Sequence, residues 1–232
     1  MAPADLADPL TPHTCAVVGC GGLGVPAAWT LALAGVRRLV LIDTDVVELS
    51  NLHRQVLYDE ADLGQAKADC LAAHLRTRFP ACAIETRQCR LDAGNVDAVL
   101  AGCTAVVEGS DDAICKFVVN DWAFAALPRN RTASIAAAIG RRAQWMVVEP
   151  AGACYRCLFE EPPPAAMLAT CQVAGVLGPV VGLAGAMAAR ALVRSLRDEP
   201  DPARSALVRV QPDGWHRTRV PPAADCPCQS HR

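Results

Sequence analysis

The chain has 232 residues and a mass of 24.4 kDa, which suits one large domain or at most two small ones. Hydrophobic residues make up 52% of the sequence and charged residues 20%, a balance that excludes a disordered protein. Twenty-two basic side chains face 24 acidic ones, and the formal net charge of −2 disfavours nucleic-acid binding by bulk electrostatics.

No segment has the pattern of a signal peptide or of a clear membrane span. The start, MAPADLADPL, lacks both a basic cluster and an apolar core. The uncharged run 173–189 contains Pro179 and many small residues, and we interpret it as a buried helix. The chain has 12 cysteines, and without a signal peptide they favour a reduced, cytoplasmic protein. Such cysteines bind metal, react, or pack as small hydrophobic side chains.

The amino-terminal part has the element order of a Rossmann-type unit. Residues 1–13 form a loose arm, and a strand over 15–18 leads into a glycine-rich turn at 19–24. A helix over 25–34 and a strand over 38–42 follow, and the strand ends at an aspartate. A right-handed crossover places the turn and this aspartate at the same carboxyl edge of a parallel sheet.

The later elements extend this pattern. Helices are predicted over 66–79, 96–100 and 113–127, and strands over 83–90, 105–108, 132–139 and 142–149. The composition shifts after position 150, where a long Gly/Ala helix reaches about residue 196 and strands at 206–211 and 215–220 flank a turn. We therefore predict one α/β domain over 1–232. It has a Rossmann-like, mostly parallel sheet with helices on both faces and an extension over 150–232 with antiparallel strands.

The glycine turn predicts a phosphate-binding site. Gly19, Gly21, Gly22 and Gly24 would let the backbone approach a phosphate at the positive end of the following helix. Asp43 lies 19 residues beyond Gly24, a spacing that suits a carboxylate binding ribose hydroxyls. Taken alone, this pattern favours NAD, and a turn used only for close packing is the alternative.

A polar run after the second strand changes the preferred nucleotide from NAD to ATP. Arg54 and Lys67 can neutralise phosphate oxygens, while Asn51 and Gln55 can donate further hydrogen bonds. A nicotinamide cofactor has no need of such groups, whereas a nucleoside triphosphate does. Asp45 belongs to the same candidate nucleotide-binding set. An exposed polar loop is the alternative for each residue.

A third polar segment follows the strand predicted over 105–108. Ser110, Asp111 and Asp112 would face the crevice of the glycine turn, because parallel strands end at one edge. Mg²⁺ takes one or two carboxylates together with phosphate oxygens. We interpret Asp111 as a magnesium ligand and Asp112 as a helix cap or helper. Capping of the helix by an aspartate is the alternative for this segment.

With these segments in place, the chain resembles the ThiF/MoeB/HesA family of ubiquitin-activating-enzyme-like adenylyltransferases. The matching segments are GCGGLG at 19–24, SNLHRQ at 50–55, SD at 110–111, CYRCL at 154–158 and CQVAGVLGPVVG at 171–182. They occur in family order and span nearly the whole chain. The second and the last are specific, and the last is most similar to the ThiF type, which serves thiamine biosynthesis.

The resemblance implies a reaction and roles for the residues. ATP and magnesium would be used to adenylate the C-terminal glycine of a small ubiquitin-like sulfur carrier, ThiS- or MoaD-like, with release of pyrophosphate. The product pathway would be that of thiamine or molybdopterin. Asp43 would hold the ribose, Arg54, Gln55 and Lys67 the phosphates, and Asp111 the magnesium. The family also implies a homodimer, and the balanced charge and the lack of a clear membrane span lead us to expect neither nucleic acid nor a membrane as a partner.

Four cysteines have the pattern of a structural zinc site. A Cys-x-x-Cys pair with a distant second pair is typical of tetrahedral zinc. Cys154 and Cys157 match the first pair of the family. Cys226 and Cys228 fall at the second, but one residue separates them here where relatives usually have two. A redox pair or unpaired thiols are the alternatives.

Two further features are the lone Cys171 and the lack of an arginine in the N-terminal arm. Cys171 begins the Gly/Ala helix, whose amino end lowers a thiol pKa, and the resemblance implies a nucleophile that can take the carrier carboxylate. A small buried side chain is the alternative for Cys171.

Relatives carry an N-terminal arm with an arginine, whereas the first arginine here is Arg37. Another arginine, such as Arg129 or Arg131, would replace it, or triphosphate binding would be weaker.

Three other functions stay open on the sequence. The same fold can adenylate a different carboxylate, such as a peptide, a natural-product intermediate or a modified tRNA base. The balanced charge and the zinc cysteines disfavour the tRNA version. An NAD-linked oxidoreductase suits the glycine turn, but Arg54, Lys67 and Asp111 argue against it. A non-catalytic, zinc-stabilised binding module would explain the missing arm.

Overall fold

The computed structural model describes residues 10–125, 131–149, 152–164 and 175–228. The strands are β1 Thr14–Val18, β2 Arg38–Ile42, β3 Ala83–Arg87, β4 Ala105–Glu108, β5 Thr132–Ile139, β6 Arg142–Val148, β7 Ala206–Gln211 and β8 Gly214–Arg219. The helices are α1 Gly24–Leu33, α2 Lys67–Arg78, α3 Val96–Val99, α4 Ala113–Ala125 and α5 Gly178–Leu196. Short 3-10 turns cover Leu49–Asn51, Glu60–Asp62 and Tyr155–Cys157.

The described strands form one eight-stranded sheet in the order β3-β2-β1-β4-β5-β6-β7-β8. Neighbouring strands from β3 to β5 are parallel, and those from β5 to β8 are antiparallel. Hydrophobic clusters cover both faces of the sheet: α1, α2 and α5 lie over one face, and α3 and α4 over the other. The predicted Rossmann-like fold with antiparallel C-terminal strands is confirmed.

Helix α5 begins at Gly178, five residues later than the apolar run suggests, and positions 173–174 lie outside the described residues. Before the helix, Leu177 N–H donates to the carbonyl of Gly140 at 2.8 Å, and Gly140 N–H donates to that of Gly175 at 2.9 Å. This backbone pairing is incompatible with helical hydrogen bonds. Pro179 occupies the first turn, where its missing N–H costs nothing.

By length and composition, α5 is apolar enough to cross a membrane, with a mean hydropathy of 1.3. In this fold one of its faces lies in the core instead, with 44% of the helix window buried. A Cβ on Gly185 would collide with the carbonyl of Leu23, so α5 lies directly against the residue before α1. This contact places α5 behind the glycine turn.

Candidate nucleotide-binding crevice and cysteine cluster

The carboxyl ends of three parallel strands meet at one edge of the sheet. Val18 at the end of β1 is level with both Ile42 of β2 and Glu108 of β4. The glycine turn, Asp43 and the turn after β4 therefore all begin at the same carboxyl edge of the sheet. Polar residues that are far apart in sequence face one crevice, which is where ligands bind in open α/β sheets.

The glycine turn is tight enough to exclude side chains at several positions. Gly19 has a φ of +84°, and a Cβ on it would lie 2.7 Å from the backbone nitrogen of Ser110. A Cβ on Gly24 would collide with the carbonyl of Gly19, and one on Gly22 would lie 2.7 Å from Val181 of α5. The turn is thus held between the end of β4 and the start of α5.

Asp43 is fixed by two backbone donors. Cys20 N–H donates to Oδ2 at 2.5 Å and Asp45 N–H donates to Oδ1 at 2.8 Å. Burial raises the pKa of Asp43, while these hydrogen bonds act in the opposite direction. Each carboxylate oxygen keeps a second lone pair, so Asp43 can still accept hydrogen bonds from a vicinal diol such as ribose.

The segment from Ser50 to Gln55 folds against the glycine turn. Arg54 donates to the Ser50 carbonyl at 3.1 Å and to Asn51 Oδ1 at 2.5 Å. Gln55 Nε2 donates to the same Asn51 oxygen at 3.4 Å and lies 3.5 Å from where a Cβ on Gly21 would be. Gln55 is only 2% exposed, and its Oε1 has no donor among the described residues. A buried acceptor without a donor is costly, which suits Gln55 to a ligand that donates a hydrogen bond.

Lys67 begins α2 and is only 6% exposed. Its Nζ lies 2.8 Å from Oδ2 of Asp45, a carboxylate that is itself largely exposed. The hydroxyl of Tyr58 lies 2.8 Å from the Cys20 carbonyl and 3.0 Å from the Lys67 carbonyl, and so connects the glycine turn with α2. The sequence analysis missed Tyr58, whose only signal is an aromatic residue within a polar run.

The two aspartates after β4 have different surroundings. Asp112 Oδ1 accepts from Ile114 N–H at 2.8 Å and Cys115 N–H at 3.3 Å, and so caps α4. Its Oδ2 accepts from Arg90 at 2.6 Å. Asp111 is exposed, and its side chain has no hydrogen bond or ion pair within the described part of the chain. Asp112 is therefore occupied as a cap, and Asp111 is available to a ligand.

A buried ion pair beneath Asp111 was also missed from the sequence. Glu108 is fully buried and Lys116 is 6% exposed, and their charged atoms lie 2.5 Å apart. Burial raises the pKa of Glu108, and the charge of Lys116 opposes this. A carboxylate ending an apolar strand, followed by a lysine in an apolar helix, was the available signal, since such residues are rarely buried without partners.

The four cysteines predicted to bind zinc lie together. The sulfurs of Cys154, Cys226 and Cys228 all lie within 4.8 Å of one another, and Cys157 Sγ is 3.6 Å from Cys154 Sγ. Around one zinc ion with Zn–S bonds of about 2.3 Å, sulfurs would lie about 3.8 Å apart. The group that meets this spacing consists of Cys154, Cys226 and Cys228, which suits three zinc ligands, and Cys157 adjoins it through its contact with Cys154.

The surroundings of the cluster also suit a bound cation. Burial and the neighbouring Cys154 thiol raise the pKa of Cys226 to about 12, so this sulfur stays protonated unless a cation stabilises its thiolate. Two N–H donors point at sulfurs of the cluster: Asn120 Nδ2 at 3.5 Å from Cys228 Sγ, and Ala223 N at 3.4 Å from Cys157 Sγ. Such donors are the outer contacts that orient metal ligands.

Some predicted residues cannot be placed at the crevice. Cys171 and Arg129 lie outside the described residues. The prediction that Cys171 begins the Gly/Ala helix is wrong, because residues 175–177 are not helical and α5 begins at Gly178. Arg131 precedes β5 at the opposite, amino edge of the parallel strands, where it donates to the carbonyl of Trp122 at 3.2 Å and covers that indole ring. Arg131 therefore does not face the crevice of its own chain.

The fold is that of a Rossmann-like α/β protein with a polar crevice at the carboxyl edge of its parallel strands. The ThiF family profile matches residues 3–229, and the chain belongs to this family. It is 40% identical over 185 residues to the SAMP-activating enzyme E1 of Haloferax volcanii, covering 79% of this chain and 67% of that protein. It is 36% identical over 175 residues to the adenylyltransferase and sulfurtransferase UBA4 of Saccharomyces cerevisiae, covering 75% of this chain. The chain spans 39% of UBA4, and these relatives support an adenylyltransferase enzyme.

Solved structures share the fold at lower identity. Escherichia coli MccB crystallised with ATP superposes with a TM-score of 0.82 at 20% identity, over 97% of this chain and 69% of that chain. PaaA superposes with a TM-score of 0.72 at 17% identity, over 90% of this chain and 73% of that chain. At this level of identity the likeness shows the fold.

Proposed function

We propose that the chain is an ATP- and magnesium-dependent adenylyltransferase that activates the C-terminal glycine of a ubiquitin-like sulfur carrier. The carrier carboxylate attacks the α-phosphorus, an acyl-adenylate forms, and pyrophosphate leaves. The observation that carries this proposal is that the segments with Asp43, Arg54, Lys67 and Asp111 all adjoin the glycine turn. The likeness to a SAMP-activating enzyme E1 and to UBA4 supports a ubiquitin-like partner.

The crevice residues divide the work of holding ATP. Asp43 accepts from ribose hydroxyls, and the backbone N–H groups of the glycine turn face phosphate oxygens. Lys67 is held by Asp45 from the solvent side, and phosphate oxygens can replace that carboxylate as its partner. Arg54 supplies a second cation, and paired cations of this kind stabilise the charge of the transition state.

Asp111 fits a magnesium ligand by its chemistry. It is a hard oxygen donor, exposed at the crevice edge, and has no partner in the described parts of the chain. Magnesium, when bound, neutralises phosphate charge. The task of the protein is to hold a single carboxylate at a fixed place beside the glycine turn.

The cysteine cluster has a structural role in this proposal. Four sulfurs around zinc leave no open coordination position for chemistry. The ion would attach the C-terminal segment with Cys226 and Cys228 to the turn with Cys154 and Cys157. Binding of this kind can contribute roughly 10–16 kcal/mol that is linked to folding.

The finer expectations belong to the same proposal. The chain would work in the cytoplasm as a homodimer of single-domain subunits, in thiamine or molybdopterin synthesis. Cys171 would act after adenylation, as the nucleophile that takes over the carrier carboxylate. A Cys171→Ala variant would then still form the adenylate.

Exchange of labelled pyrophosphate into ATP tests the activity. We expect exchange when a ubiquitin-like protein ending in Gly-Gly is added, and none when the same protein lacks its last glycine. ATP binding without exchange for any carrier would contradict the proposal and favour a binding module. Hydride transfer without use of ATP would favour an oxidoreductase.

A second candidate substrate is another carboxylate, such as a peptide or a natural-product intermediate. The fold shared with MccB favours this candidate, although at 20% identity only the fold is common. Exchange that a short peptide carboxylate supports, and a folded carrier does not, would select it.

A further inference from the structure

The turn that carries Asp111 is held from below by a buried ion pair that no step described so far uses. We propose that Lys116 and Glu108 are positioning residues: they clamp Ser110 and so fix the direction in which Asp111 meets magnesium. This inference rests on the proposed role of Asp111 as a magnesium ligand.

The ion pair engages all the polar groups of Ser110. Glu108 Oε1 accepts from the Ser110 N–H at 2.9 Å and also from its hydroxyl. Lys116 Nζ donates to the Ser110 carbonyl at 2.9 Å. The peptide unit that leads into Asp111 is therefore fixed by the pair, because its carbonyl carbon belongs to Ser110.

Lys116 has a complete set of partners. An ammonium group has three N–H donors, and three acceptors surround this one. They are Glu108 Oε2 at 2.5 Å, the Ser110 carbonyl, and the Ala136 carbonyl at 2.7 Å. Because Ala136 lies on β5, the lysine joins α4, the turn after β4 and the next strand at one point.

Among the side chains of this turn, that of Asp111 has no partner within the described ranges of the chain. On one side, Gly109 N–H donates to the carbonyl of Val18 at 2.9 Å, and Ser110 lies against Gly19 of the glycine turn. On the other side, Asp112 caps α4. A fixed backbone beneath an unpartnered carboxylate is the arrangement expected of a preorganised ligand.

Stability alone does not explain this pair. Replacing a buried ion pair by apolar residues of similar volume is often neutral or stabilising, because desolvation offsets the Coulomb attraction. An apolar pair at positions 108 and 116 would fill the space but leave the N–H, hydroxyl and carbonyl of Ser110 without these partners. Holding the turn is therefore the property that requires these two residues.

The test compares ATP binding with and without magnesium, using a non-hydrolysable ATP analogue in titration calorimetry. In Lys116→Met we expect the magnesium concentration for half-maximal enhancement of binding to rise about 10–100-fold, as for other changes behind a metal ligand. Affinity in EDTA should stay at the wild-type value. Lys116→Arg, which keeps the charge and several donors, should restore most of the magnesium effect.

A matched control is Lys67→Met, which removes another buried lysine at the same edge. It should weaken analogue binding with and without magnesium by the same factor. If Lys116→Met loses affinity in EDTA as strongly as Lys67→Met and keeps the wild-type magnesium dependence, the positioning role is overturned. Thermal unfolding of each variant shows whether it is folded.

If Lys116→Met fails to fold, Ser110→Ala decides, because it removes the hydroxyl that donates to Glu108 and accepts from the Asp112 N–H at 3.3 Å, and leaves the ion pair itself in place. We expect an increase of about 5-fold in the required magnesium concentration, and no change would overturn the proposal.

Asp111→Asn distinguishes failure of the magnesium-ligand assignment from failure of the positioning role. If Asp111→Asn binds the analogue with wild-type magnesium dependence, Asp111 is not the magnesium ligand. If Asp111→Asn loses the magnesium dependence while Lys116→Met keeps it, Asp111 remains the ligand and only the positioning role of Lys116 is overturned.

Discussion

At the residue scale, the aspartates of the crevice are distinguished by their partners. Asp43 accepts from two backbone N–H groups, Asp112 caps a helix, and Asp111 has no partner within the described residues. The same type of side chain is thus fixed by backbone donors at one position, caps a helix at another and is left available to a ligand at the third. The sequence predicts that these aspartates lie at one crevice, and the hydrogen bonds in the structure show how their surroundings differ.

Removing the Asp111 carboxylate should abolish magnesium-dependent turnover and leave the fold intact. For Asp111→Ala we expect pyrophosphate exchange to fall on the order of 10²-fold or more, since a metal-held charge contributes several kcal/mol to the transition state. Asp97→Ala is the control, because Asp97 is an exposed carboxylate on α3. Wild-type exchange in Asp111→Ala would remove Asp111 from the metal site.

Acidification should weaken ATP binding through Asp43. Burial raises the pKa of this carboxyl, so its accepting, ionised form is lost at a higher pH than for an ordinary aspartate. The affinity for ATP should decrease as the pH falls through that raised pKa. Calorimetry across the acidic range checks this. Asp43→Asn should bind more weakly at neutral pH and lack this step.

The residues that sequence reasoning missed share a physical cause. Tyr58, Glu108 and Lys116 act through contacts with backbone carbonyls and N–H groups that only the folded chain brings together. The glycines, Asp43 and Arg54 could be selected as candidates because their position relative to the predicted strands carries a recognisable chemistry. A side chain that acts from within the core has no such local pattern.

At the element scale, α4 connects the crevice with the cysteine cluster. Its first turn is capped by Asp112, and Lys116 lies one turn further along. Near its carboxyl end, Asn120 Oδ1 accepts from Tyr155 N–H at 2.6 Å. The Arg156 guanidinium pairs with Asp121 at 2.7 Å and 2.8 Å. Helix α4 thereby follows the turn with Asp111 at its amino end and holds the Cys154 turn near its carboxyl end.

Zinc should stabilise this part of the chain. Metal analysis should find about one zinc per chain, and removal by a chelator should lower the thermal midpoint. Cys226→Ser should lose the metal, whereas Cys89→Ser, a half-buried cysteine outside the cluster, should keep it. A folded wild-type protein without metal would contradict the zinc assignment and leave unpaired thiols.

Most elements could be predicted because their patterns are local, and the start of α5 shows where this fails. The apolar run extends to position 173, but Gly175 adopts a φ of +64° and the backbone there pairs with Gly140. That pairing depends on the turn between β5 and β6, more than 30 residues earlier in the chain. Helical periodicity alone cannot reveal such a competing partner.

At the scale of the whole molecule, the sheet explains why distant segments form one site. Its parallel half ends its strands at one edge and gathers the glycine turn, Asp43 and the Asp111 turn there. Its antiparallel half continues from β5 to β8 and leads to the segment with Cys226 and Cys228. The Rossmann-type topology was predictable from element order, whereas the closeness of α5 to the glycine turn required the tertiary structure.

The central claim is that this crevice binds a nucleoside triphosphate and not a dinucleotide. Titration calorimetry with magnesium–ATP and, separately, with NAD measures this directly. We predict one ATP site per chain, weakened on the order of 10²-fold when Arg54 and Lys67 are both replaced by alanine, and no binding of NAD. Tight NAD binding that survives this double substitution, with no binding of ATP, would contradict the account.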